Sequence, residues 1–417
     1  MSQSRFFVFA LLAVVFAGIW LTAPRRSPPD RGAVLQILAV DSPAGQSPRV
    51  RVGLLADAVR SLSISISGPF VVRPVGDERV LHRAERLEFC EISATPIGLR
   101  VGRQEFPITR LEIMPRNSPG AWVENHQYRG AIRVYRQPGG TVIAVNVLPL
   151  EEYVASVVDS EMPAEFSAEA RAAQAIVART YALYQMRAVA GTGLVDLHAS
   201  TRSQKYLGFQ YKTADGRRLA GETEDSRRLT AETAGLVCLS RGDLFCTYYS
   251  ATCGGTTLQG TEMFADAAAP LQSVPCTWCE AAPLYRWSLQ IARADLQTDL
   301  AQFFKGRGAT LGKLQTVHEE TPIVAGRLPQ FDIRGDRGTA HASGAELRRA
   351  MTDRGVHSPR FHLSDQGPTF MISGQGHGHG VGLCQWGARG LARAGRNRFQ
   401  ILAYYYPGAT IARVVYP

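Results

Sequence analysis

Glycines at alternate positions dominate one stretch near the C-terminal end, G-H-G-H-G-V-G-L-C-Q-W at 376–386. Glycine lacks a Cβ, so the main chain can take a positive φ or approach another group closely, at an entropic cost. No packed helix or strand needs four such residues, which predicts a loop built for close backbone contact. In an extended chain His377 and His379 would point to the same side. With the amide of Gln385 and the flat ring of Trp386, they would suit a groove for a polar polymer.

The composition is that of a globular protein with a basic surface. The chain has 417 residues, of which 45% are hydrophobic and 20% charged, and its formal net charge is +10. This length exceeds that of most single hydrophobic cores, so two lobes or one domain with a large insertion are expected. The positive charge fits an anionic partner or a basic solvated surface equally well. No lysine and arginine run of the nucleic-acid-binding type occurs, so we expect no nucleic acid partner.

The N-terminal segment has the character of an export signal. Residues 6–23 are almost continuously apolar, follow Arg5 and precede the polar stretch P-R-R-S-P-P-D at 24–30. We interpret 1–23 as a signal peptide or an N-terminal membrane anchor, and 24–33 as a linker. Both alternatives export the rest of the chain, which would be secreted or held in the cell envelope. Contact with a membrane is expected only through this segment.

Hydrophobic periodicity divides the remainder into a strand-rich part and a mixed part, which indicates an α+β fold. Short β-branched segments punctuated by glycine, proline and serine make 34–130 strand-rich. Apolar residues then recur at helical spacing over about 150–160, and an alanine-rich helix is expected over about 167–187. We interpret 131–417 as one domain that carries an insertion at about 286–370.

Further elements are predicted later in the chain. Short helices are expected near 292–304, 345–354 and 385–394. Residues 232–252 have the pattern of a hairpin that turns around 241–243. Cys238 and Cys246 flank that turn and would face each other if its loop held three residues. A cross-strand disulfide and two buried thiols are both open for this pair.

Three separated stretches together resemble one protein family. They are L-P-L-E-E-Y-V-A-S-V-V-D-S-E-M-P followed by A-R-A-A-Q-A-I-V-A-R-T-Y-A-L within 148–183, S-Q-K-Y-L-G at 203–208, and G-H-G-V-G-L-C-Q-W-G-A at 378–388. In this order, over about 130–417, the chain resembles the stage II sporulation protein D family, SpoIID, which includes amidase-enhancer proteins. The resemblance implies a peptidoglycan lytic transglycosylase. Such an enzyme cleaves glycan between muramic acid and N-acetylglucosamine, leaves a 1,6-anhydro ring, and acts on strands stripped of stem peptides.

The resemblance places the catalytic carboxyl group at Glu161, in the E-M-P element. The reaction needs one acid of raised pKa that protonates the glycosidic oxygen and then takes the proton from the 6-hydroxyl of the sugar. No water attacks, so a second carboxylate is not required, in contrast to glycoside hydrolases. Of the nearest acids, Asp159 is expected on another side of the helix, and Glu165 follows a proline turn. We therefore predict a single general acid/base, Glu161.

The resemblance also implies a set of residues that contact the glycan. Hydroxyls, amides and aromatic faces are the groups that bind saccharides. These residues are Gln174, Arg179, Tyr181, Ser203, Gln204, Tyr206, His377, His379, Gln385 and Trp386. For Arg179 and Tyr181, helix packing with a buried ion pair is an equally open interpretation.

Seven cysteines, an odd number, cannot all form internal disulfides in an exported chain. Cys276 and Cys279 form a C-x-x-C knuckle, and Cys253 is the first residue of a C-G-G turn. Cys384 lies near the end of the glycine-rich stretch. The resemblance brings that turn and stretch near the active site, where some members carry zinc, and four thiolates would make a tetrahedral structural Zn²⁺ site. The alternatives are a disulfide between Cys276 and Cys279, a disulfide from either to Cys253, and a nucleophilic Cys384 partnered by His379.

Two functions of other classes stay open. A non-catalytic protein could grip peptidoglycan glycan strands in the same groove and enhance a cell-wall partner, an N-acetylmuramoyl-L-alanine amidase. A cysteine-dependent amide hydrolase would instead depend on Cys384. Replacement of Glu161 by glutamine separates the first from the transglycosylase, and replacement of Cys384 by serine tests the second.

Overall fold

The structure is a computed structural model that describes residues 37–39, 47–116 and 119–415. The predicted export segment at 1–23 lies outside the described residues. Within them the chain forms seven α-helices and many strands in several sheets, with a strand-rich N-terminal region. These elements confirm the predicted α+β class. None of the helices in the described ranges is long and apolar enough to cross a membrane.

Alternating apolar and polar residues build two large sheets from the N-terminal region. In Ser61–Ile66 the buried side chains of Leu62, Ile64 and Ile66 alternate with partly exposed serines, the period of a half-buried strand. One sheet has seven strands in the order Leu197–His198, Arg49–Gly53, Thr141–Pro149, Ala131–Gln137, Arg110–Pro115, Phe70–Pro74 and His82–Ala84. The other has eight in the order Arg218–Ala220, Gln210–Lys212, His126–Tyr128, Ala121–Val123, Ser61–Ile66, Leu87–Ala94, Leu99–Val101 and Gln104–Phe106.

Two helices follow the seven-stranded sheet and carry much of the core. Strand Thr141–Pro149 leads directly into α1, Leu150–Glu161, whose predicted face is fully buried, Tyr153 included. Helix α2 spans Ala168–Ala188, and its alanines allow α1 and other helices to approach it closely. The end of α1 at Glu161 therefore lies against a rigid packed layer.

Five shorter helices complete the helical set of the described residues. They are α3 (Glu224–Glu232), α4 (Arg293–Lys305), α5 (Gly344–Ala350), α6 (Gln385–Arg393) and α7 (Arg398–Tyr405). The sequence predicted α4, α5 and α6, although α5 ends at Ala350 and only a 3-10 turn, Thr352–Arg354, continues it. Helices α3 and α7 were not predicted.

The hairpin prediction was correct in place but wrong in register. Leu236–Ser240 pairs with Asp243–Leu244 around a two-residue turn, in which Arg241 and Gly242 have φ of 52° and 88°. Positive φ at both positions is the geometry of a tight hairpin turn. Continued by one step, this register sets Cys238 against position 245 rather than 246. The cross-strand disulfide is therefore wrong, and Cys238 and Cys246 are buried free thiols.

The hairpin belongs to a sheet that joins distant parts of the chain. This four-stranded sheet has the order Ile37–Ala39, Thr410–Val415, Leu236–Ser240 and Asp243–Leu244. Just after the hairpin, Tyr249–Ser250 forms a short parallel pair with Leu383–Cys384. That pair brings the segment after the hairpin alongside the end of the glycine-rich stretch.

Residues 286–375 contain two further sheets and their own hydrophobic cluster. The sheets have the orders Arg286–Ala292, Thr369–Gln375, Phe361–Asp365 and Leu314–Thr321, Gln330–Gly335, Thr339–Ser343. With α4 and α5 they enclose a cluster whose buried members all lie between Trp287 and Ile372. The boundary of the predicted insertion at 286–370 stays a prediction.

Candidate active site

A cavity of about 500 Å³ lies where the end of α1, the glycine-rich stretch and α5 meet. Polar and aromatic side chains dominate its wall. The lining residues are Glu161, Tyr181, Thr201, Arg202, Ser203, Tyr248, Tyr249, Ser250, Ala251, Phe264, Arg348, His377, Gly378, His379 and Gln385. We call this cavity the cleft. It brings together five of the ten predicted glycan-contacting residues with the predicted catalytic carboxyl.

Glu161 is the last residue of α1, and its carboxyl group projects into the cleft. The backbone N–H of Lys205 donates to its Oε1 at 2.7 Å, and the side chains of Tyr249 and Gln385 also hydrogen-bond to it. These bonds lower the pKa, but burial has the larger effect and raises the pKa of Glu161 above its ordinary value. The negative end of the helix dipole acts in the same direction. The arrangement favours a protonated carboxyl that can donate.

A series of side-chain hydrogen bonds that starts at buried residues positions Glu161. The Tyr153 hydroxyl donates to Gln204 Oε1 at 3.1 Å, and Gln204 Nε2 donates to the Tyr249 hydroxyl at 3.2 Å. With its oxygen accepting from Gln204, the Tyr249 hydroxyl donates its proton to Glu161. Gln204 is buried and so orients Tyr249 rather than contacting a ligand directly.

Glu161 is the one carboxyl group that lines the cleft within the described residues. Asp159 is turned away, since it pairs with the buried Arg171 and accepts from the backbone N–H of Thr223. Glu165 is exposed. Asp266 is not part of the cleft wall, but it accepts from the hydroxyl of Tyr248, which lines the cleft, at 2.7 Å. The positions of Asp159 and Glu165 agree with a one-carboxylate site.

The glycine-rich stretch forms a loop that is packed tightly against residues 248–253. Gly376 and Gly382 have φ of 84° and 69°, a region that favours glycine. A Cβ at Gly376 would lie 2.6 Å from the Thr252 carbonyl oxygen, and one at Gly382 would lie 2.0 Å from the Tyr248 carbonyl oxygen. His377 and Thr252 exchange backbone hydrogen bonds of 2.8 and 3.2 Å. The predicted close backbone approach is therefore present, and its partner is the chain itself.

His379 lies in the cleft wall with both ring nitrogens in use. Its Nδ1 accepts from the backbone N–H of Val381 at 3.1 Å, so Nε2 carries the proton that it donates to the Tyr249 carbonyl. Burial lowers the pKa of His379 to about 4, which keeps the ring neutral. The ring meets Phe264 edge to face, with centroids 5.1 Å apart. His377 keeps an exposed surface, but partial loss of solvent around its ring, together with the nearby His357 and Arg348, lowers its pKa.

Five predicted glycan-contacting residues lie outside the cleft wall, and three of them are side chains buried away from it. Gln174 and Arg179 have no exposed surface, and Tyr206 has 2%. Arg179 pairs with Glu151 at 2.6 Å, and the Tyr206 hydroxyl donates to Asn146 at 2.7 Å. These three side chains expose at most 2% of their surface and do not line the cleft, so the structure gives no support to a direct glycan contact there. For Arg179 the ion-pair interpretation is the one that the structure bears out.

The other predicted contact residues are placed at the cleft or beside it. Tyr181 and Ser203 line it and hydrogen-bond to each other. Trp386 lies just outside the wall, where its ring packs edge to face on Phe166 at 5.3 Å and under the Arg389 guanidinium at 4.8 Å. One face of the Trp386 ring is therefore already covered by Arg389.

Sequence reasoning missed an aromatic wall of the cleft. The rings of Tyr248 and Phe264 stack with centroids 3.6 Å apart and an interplanar angle of 4°. An aromatic face is a surface on which a sugar ring can pack. The adjacent pair Tyr248 and Tyr249, directly before the S-A-T-C-G-G-T-T element at 250–257, was the available signal.

Four buried cysteines form a candidate metal site beside the cleft. The sulfur atoms of Cys253, Cys276, Cys279 and Cys384 all lie within 4.8 Å of one another. Cys253 Sγ and Cys279 Sγ are 3.7 Å apart. Two sulfurs of a tetrahedral zinc site with Zn–S bonds of about 2.3 Å are separated by about 3.8 Å. The donor set therefore fits Zn²⁺ in both chemistry and spacing.

Neighbouring groups are arranged to stabilise thiolates in this cluster. The backbone N–H groups of Cys253 and Gly387 each lie 3.3 Å from Cys384 Sγ, and the Tyr405 hydroxyl lies 3.1 Å from Cys276 Sγ. The buried guanidinium of Arg360 donates to the Cys253 carbonyl at 3.0 Å and adds positive charge nearby. Such donors are expected around metal-bound sulfur.

The remaining cysteine interpretations fare differently. All cysteines of the described residues are free thiols, without a disulfide within the cluster. Cys384 is fully buried and lines no part of the cleft, while the ring nitrogens of His379 are bonded to backbone. A nucleophilic Cys384 partnered by His379 is therefore wrong, because neither group is available to a substrate.

Fold and site together define an α+β protein with one buried carboxyl group in a polar and aromatic cleft. The chain belongs to the stage II sporulation protein D family. The sequence model described as "Stage II sporulation protein" matches residues 138–239, and one described as "Domain of unknown function (DUF8618)" matches 277–382. Stage II sporulation protein D of Bacillus subtilis is 30% identical over 68% of this chain and 79% of its own length.

Two further relatives show how widely the similarity extends. An uncharacterized protein of Brachyspira hyodysenteriae is 27% identical over 86% of this chain and 91% of its own length. The amidase enhancer of Bacillus subtilis is 24% identical over 61% of this chain and 39% of its own length. The family assignment made from the sequence motifs is thereby confirmed.

Proposed function

We propose that the protein is a peptidoglycan lytic transglycosylase in which Glu161 is the single general acid/base. The observation that carries the proposal is the environment of this carboxyl. It is the sole acid in the wall of the cleft within the described residues, and burial raises its pKa. A carboxyl group of raised pKa in a cleft is the group that acid-catalysed glycoside cleavage requires.

The proposed reaction is an internal transfer at one sugar. The protonated carboxyl of Glu161 donates to the oxygen that links muramic acid C1 to N-acetylglucosamine, and the C1–O bond breaks. The resulting carboxylate takes the proton of the muramic 6-hydroxyl as that oxygen bonds to C1. The acid is regenerated, no water is consumed, and a 1,6-anhydro ring results. The absence of a second cleft carboxyl among the described residues is consistent with this scheme.

Other groups of the cleft have supporting roles in this proposal. The hydrogen-bonded pair Tyr181 and Ser203 and the exposed His377 would contact the glycan. Gln385 would bind glycan and orient Glu161, to which it already hydrogen-bonds. His379 would be a positioning residue, because it ties the glycine-rich loop to the Tyr249 backbone. The preference for peptide-stripped strands and the export of the chain belong to the same proposal.

We also propose that the protein binds a structural Zn²⁺ through Cys253, Cys276, Cys279 and Cys384. Bound there, zinc would fix the 276–279 knuckle and the start of α6 against Cys253, the first residue of the C-G-G turn. It would contribute to stability and to the shape of the cleft. The proposed proton transfers are made by Glu161.

The proposal is tested by turnover of peptide-free glycan strands with a matched pair of variants. Glu161→Gln removes the acid and is expected to lower the release of fragments about 100-fold or more, with glycan binding retained. Glu165→Gln makes the same chemical change at an exposed acid nearby and should leave turnover unchanged. Equal turnover in both variants would exclude Glu161 as the acid.

A second candidate function follows from the amidase enhancer among the relatives. In that case the cleft binds glycan and raises the activity of a cell-wall amidase without cleaving the strand itself. Stimulation of a purified amidase by wild type and by Glu161→Gln separates the two functions. Equal stimulation, with no fragment release by either protein, would favour the enhancer.

A further inference from the structure

Arg348 enters the cleft from α5, outside the segments that carry the family motifs. Its Nε donates to the Val356 carbonyl at 3.2 Å, which fixes the direction of the side chain. The terminal nitrogens have no protein partner among the described residues, and no carboxylate there lies within 4 Å of them. The guanidinium forms part of the cleft wall that also contains Glu161.

Two other buried arginines in the described part of the chain have their charge compensated by carboxylates. Arg171 pairs with Asp159 and Asp225, and Arg179 pairs with Glu151. Arg348 lacks such a carboxylate, and burial lowers its pKa. A half-buried cation without a partner is costly unless a ligand supplies the opposite charge.

The rest of the cleft leaves room for a negative ligand. His379 is neutral because its pKa is about 4, and Glu161 is the one carboxyl group in the cleft wall within the described residues. Arg202 is exposed, lines the cleft and adds a second positive charge. An anionic group that enters the cleft therefore meets two cations against one carboxyl group in the wall, and Arg348 is the more enclosed of the two cations.

We propose that Arg348 binds a free carboxylate of the glycan strand. The proposal rests on the proposed function, which makes that strand the substrate. On a peptide-free strand, the ionised group of each repeat is the lactyl carboxylate of muramic acid. A stem peptide converts that carboxylate into an amide, which cannot form a charged pair with a guanidinium. Arg348 would thus determine specificity by distinguishing stripped sugars from peptide-bearing ones.

Binding to two forms of one ligand tests this role. The first is a short peptide-free strand with free lactyl carboxyls, and the second is the same strand with those carboxyls converted to methylamides. Dissociation constants are measured in the Glu161→Gln background, so that cleavage does not interfere. We expect the acid form to bind about tenfold more tightly, the size of effect typical of a charged hydrogen-bonded pair.

Variants on α5 then assign the preference to one residue. Arg348→Ala should abolish the preference by weakening the acid form alone, and Arg348→Lys should restore part of it. Arg349→Ala removes the same charge from the neighbouring position, which is exposed and outside the cleft, and should keep the full preference. Thermal unfolding of each variant establishes that it is folded.

Two results would overturn the inference. One is equal binding of acid and methylamide strands by the Glu161→Gln protein. The other is an Arg348→Ala variant that weakens both strands alike, which would indicate a structural role through Val356. Failure of the proposed function is a separate outcome. Wild-type protein could prefer the acid strand and yet release no anhydro-ended fragments. That result would support the Arg348 site and contradict the transglycosylase reaction.

Discussion

Glu161 acquires its chemical character from neighbours that are distant in sequence. The E-M-P element and the end of a helix could be predicted from residues 148–163, and so could the position of Asp159 on another side of that helix. The contacts with Lys205, Tyr249 and Gln385 could not, because these residues approach Glu161 only after three separate segments have folded together. The family resemblance therefore indicated which residue is the acid, whereas its raised pKa depends on tertiary packing.

Removal of the Tyr249 hydroxyl tests how its hydrogen bond affects the pKa of Glu161. This hydrogen bond stabilises the carboxylate form of Glu161, so Tyr249→Phe should raise the pKa of Glu161 further. The protonated acid is the active form, so activity is present below this pKa and is lost as pH rises through it. One neutral hydrogen bond contributes about 0.5–1.5 kcal/mol, which predicts an upward shift of the alkaline limb of kcat/KM by about 0.5–1 pH unit.

The matched control for this prediction is Tyr184→Phe. This substitution also removes a hydroxyl that donates to a carboxylate, that of Asp266, at 3.1 Å. Tyr184, however, lies outside the cleft wall. Its pH–rate profile should coincide with that of wild type. A Tyr249→Phe limb that stays in place or moves to lower pH would show that the hydroxyl does not stabilise the Glu161 carboxylate.

At the scale of elements, buried ion pairs connect the three helices behind the cleft. Arg171 of α2 reaches Asp159 of α1 and Asp225 of α3, and is itself 1% exposed. Arg179, about two turns further along α2, pairs with Glu151 of α1. These contacts fix the helix that ends in Glu161, so the catalytic geometry proposed here depends on pairs remote from the cleft.

Removal of Arg171 should be strongly destabilising. Arg171→Met leaves the Asp159 carboxylate, which is 9% exposed, without its cation, and loss of one partner of a buried pair costs about 3–5 kcal/mol. The measurement is the free energy of unfolding from denaturant titration. Arg228→Met removes an exposed arginine that pairs with Asp225 and Glu232, and should cost under about 1 kcal/mol. Equal losses in the two variants would contradict the account of the helix layer.

The helices also show which local signals were sufficient. Apolar periodicity predicted α1 and an alanine-rich run predicted α2, whereas α3 and α7 are short and polar or aromatic on several sides. Both nevertheless begin with a capping box, Thr223 with Ser226 and Asn397 with Gln400, in which side chain and backbone bond reciprocally. Capping residues were thus a readable signal that periodicity alone passed over.

At the scale of the whole molecule, the cysteine cluster joins segments that are more than 100 residues apart. The C-x-x-C spacing and the family resemblance predicted which four thiols meet, and the structure places their sulfurs together. Other long-range pairings had no local signal, such as strand Ile37–Ala39 alongside Thr410–Val415. Arg348 was likewise missed, because an isolated arginine in a helix has no pattern that distinguishes it from a solvated one.

The cluster predicts about one zinc ion per chain in protein purified without chelators. Cys276→Ser should lower the zinc content and the midpoint of thermal unfolding, since zinc-bound thiolates stabilise the folded state. Cys90→Ser changes a half-buried thiol outside the cluster and should retain the metal. The measurements are elemental analysis and calorimetry. Full-length protein without metal, with the four thiols oxidised to disulfides, would contradict the zinc site.

The central claim is that Glu161 catalyses an internal transfer in which no water takes part. Mass spectrometry of fragments made in ¹⁸O-labelled water tests it most directly, with wild type and Glu161→Gln on peptide-free strands. The account predicts that wild type alone yields fragments one water lighter than hydrolysis products, with 1,6-anhydro ends and no label. Labelled reducing ends would contradict it and indicate a hydrolase, for which Asp266 is the first candidate as second carboxyl.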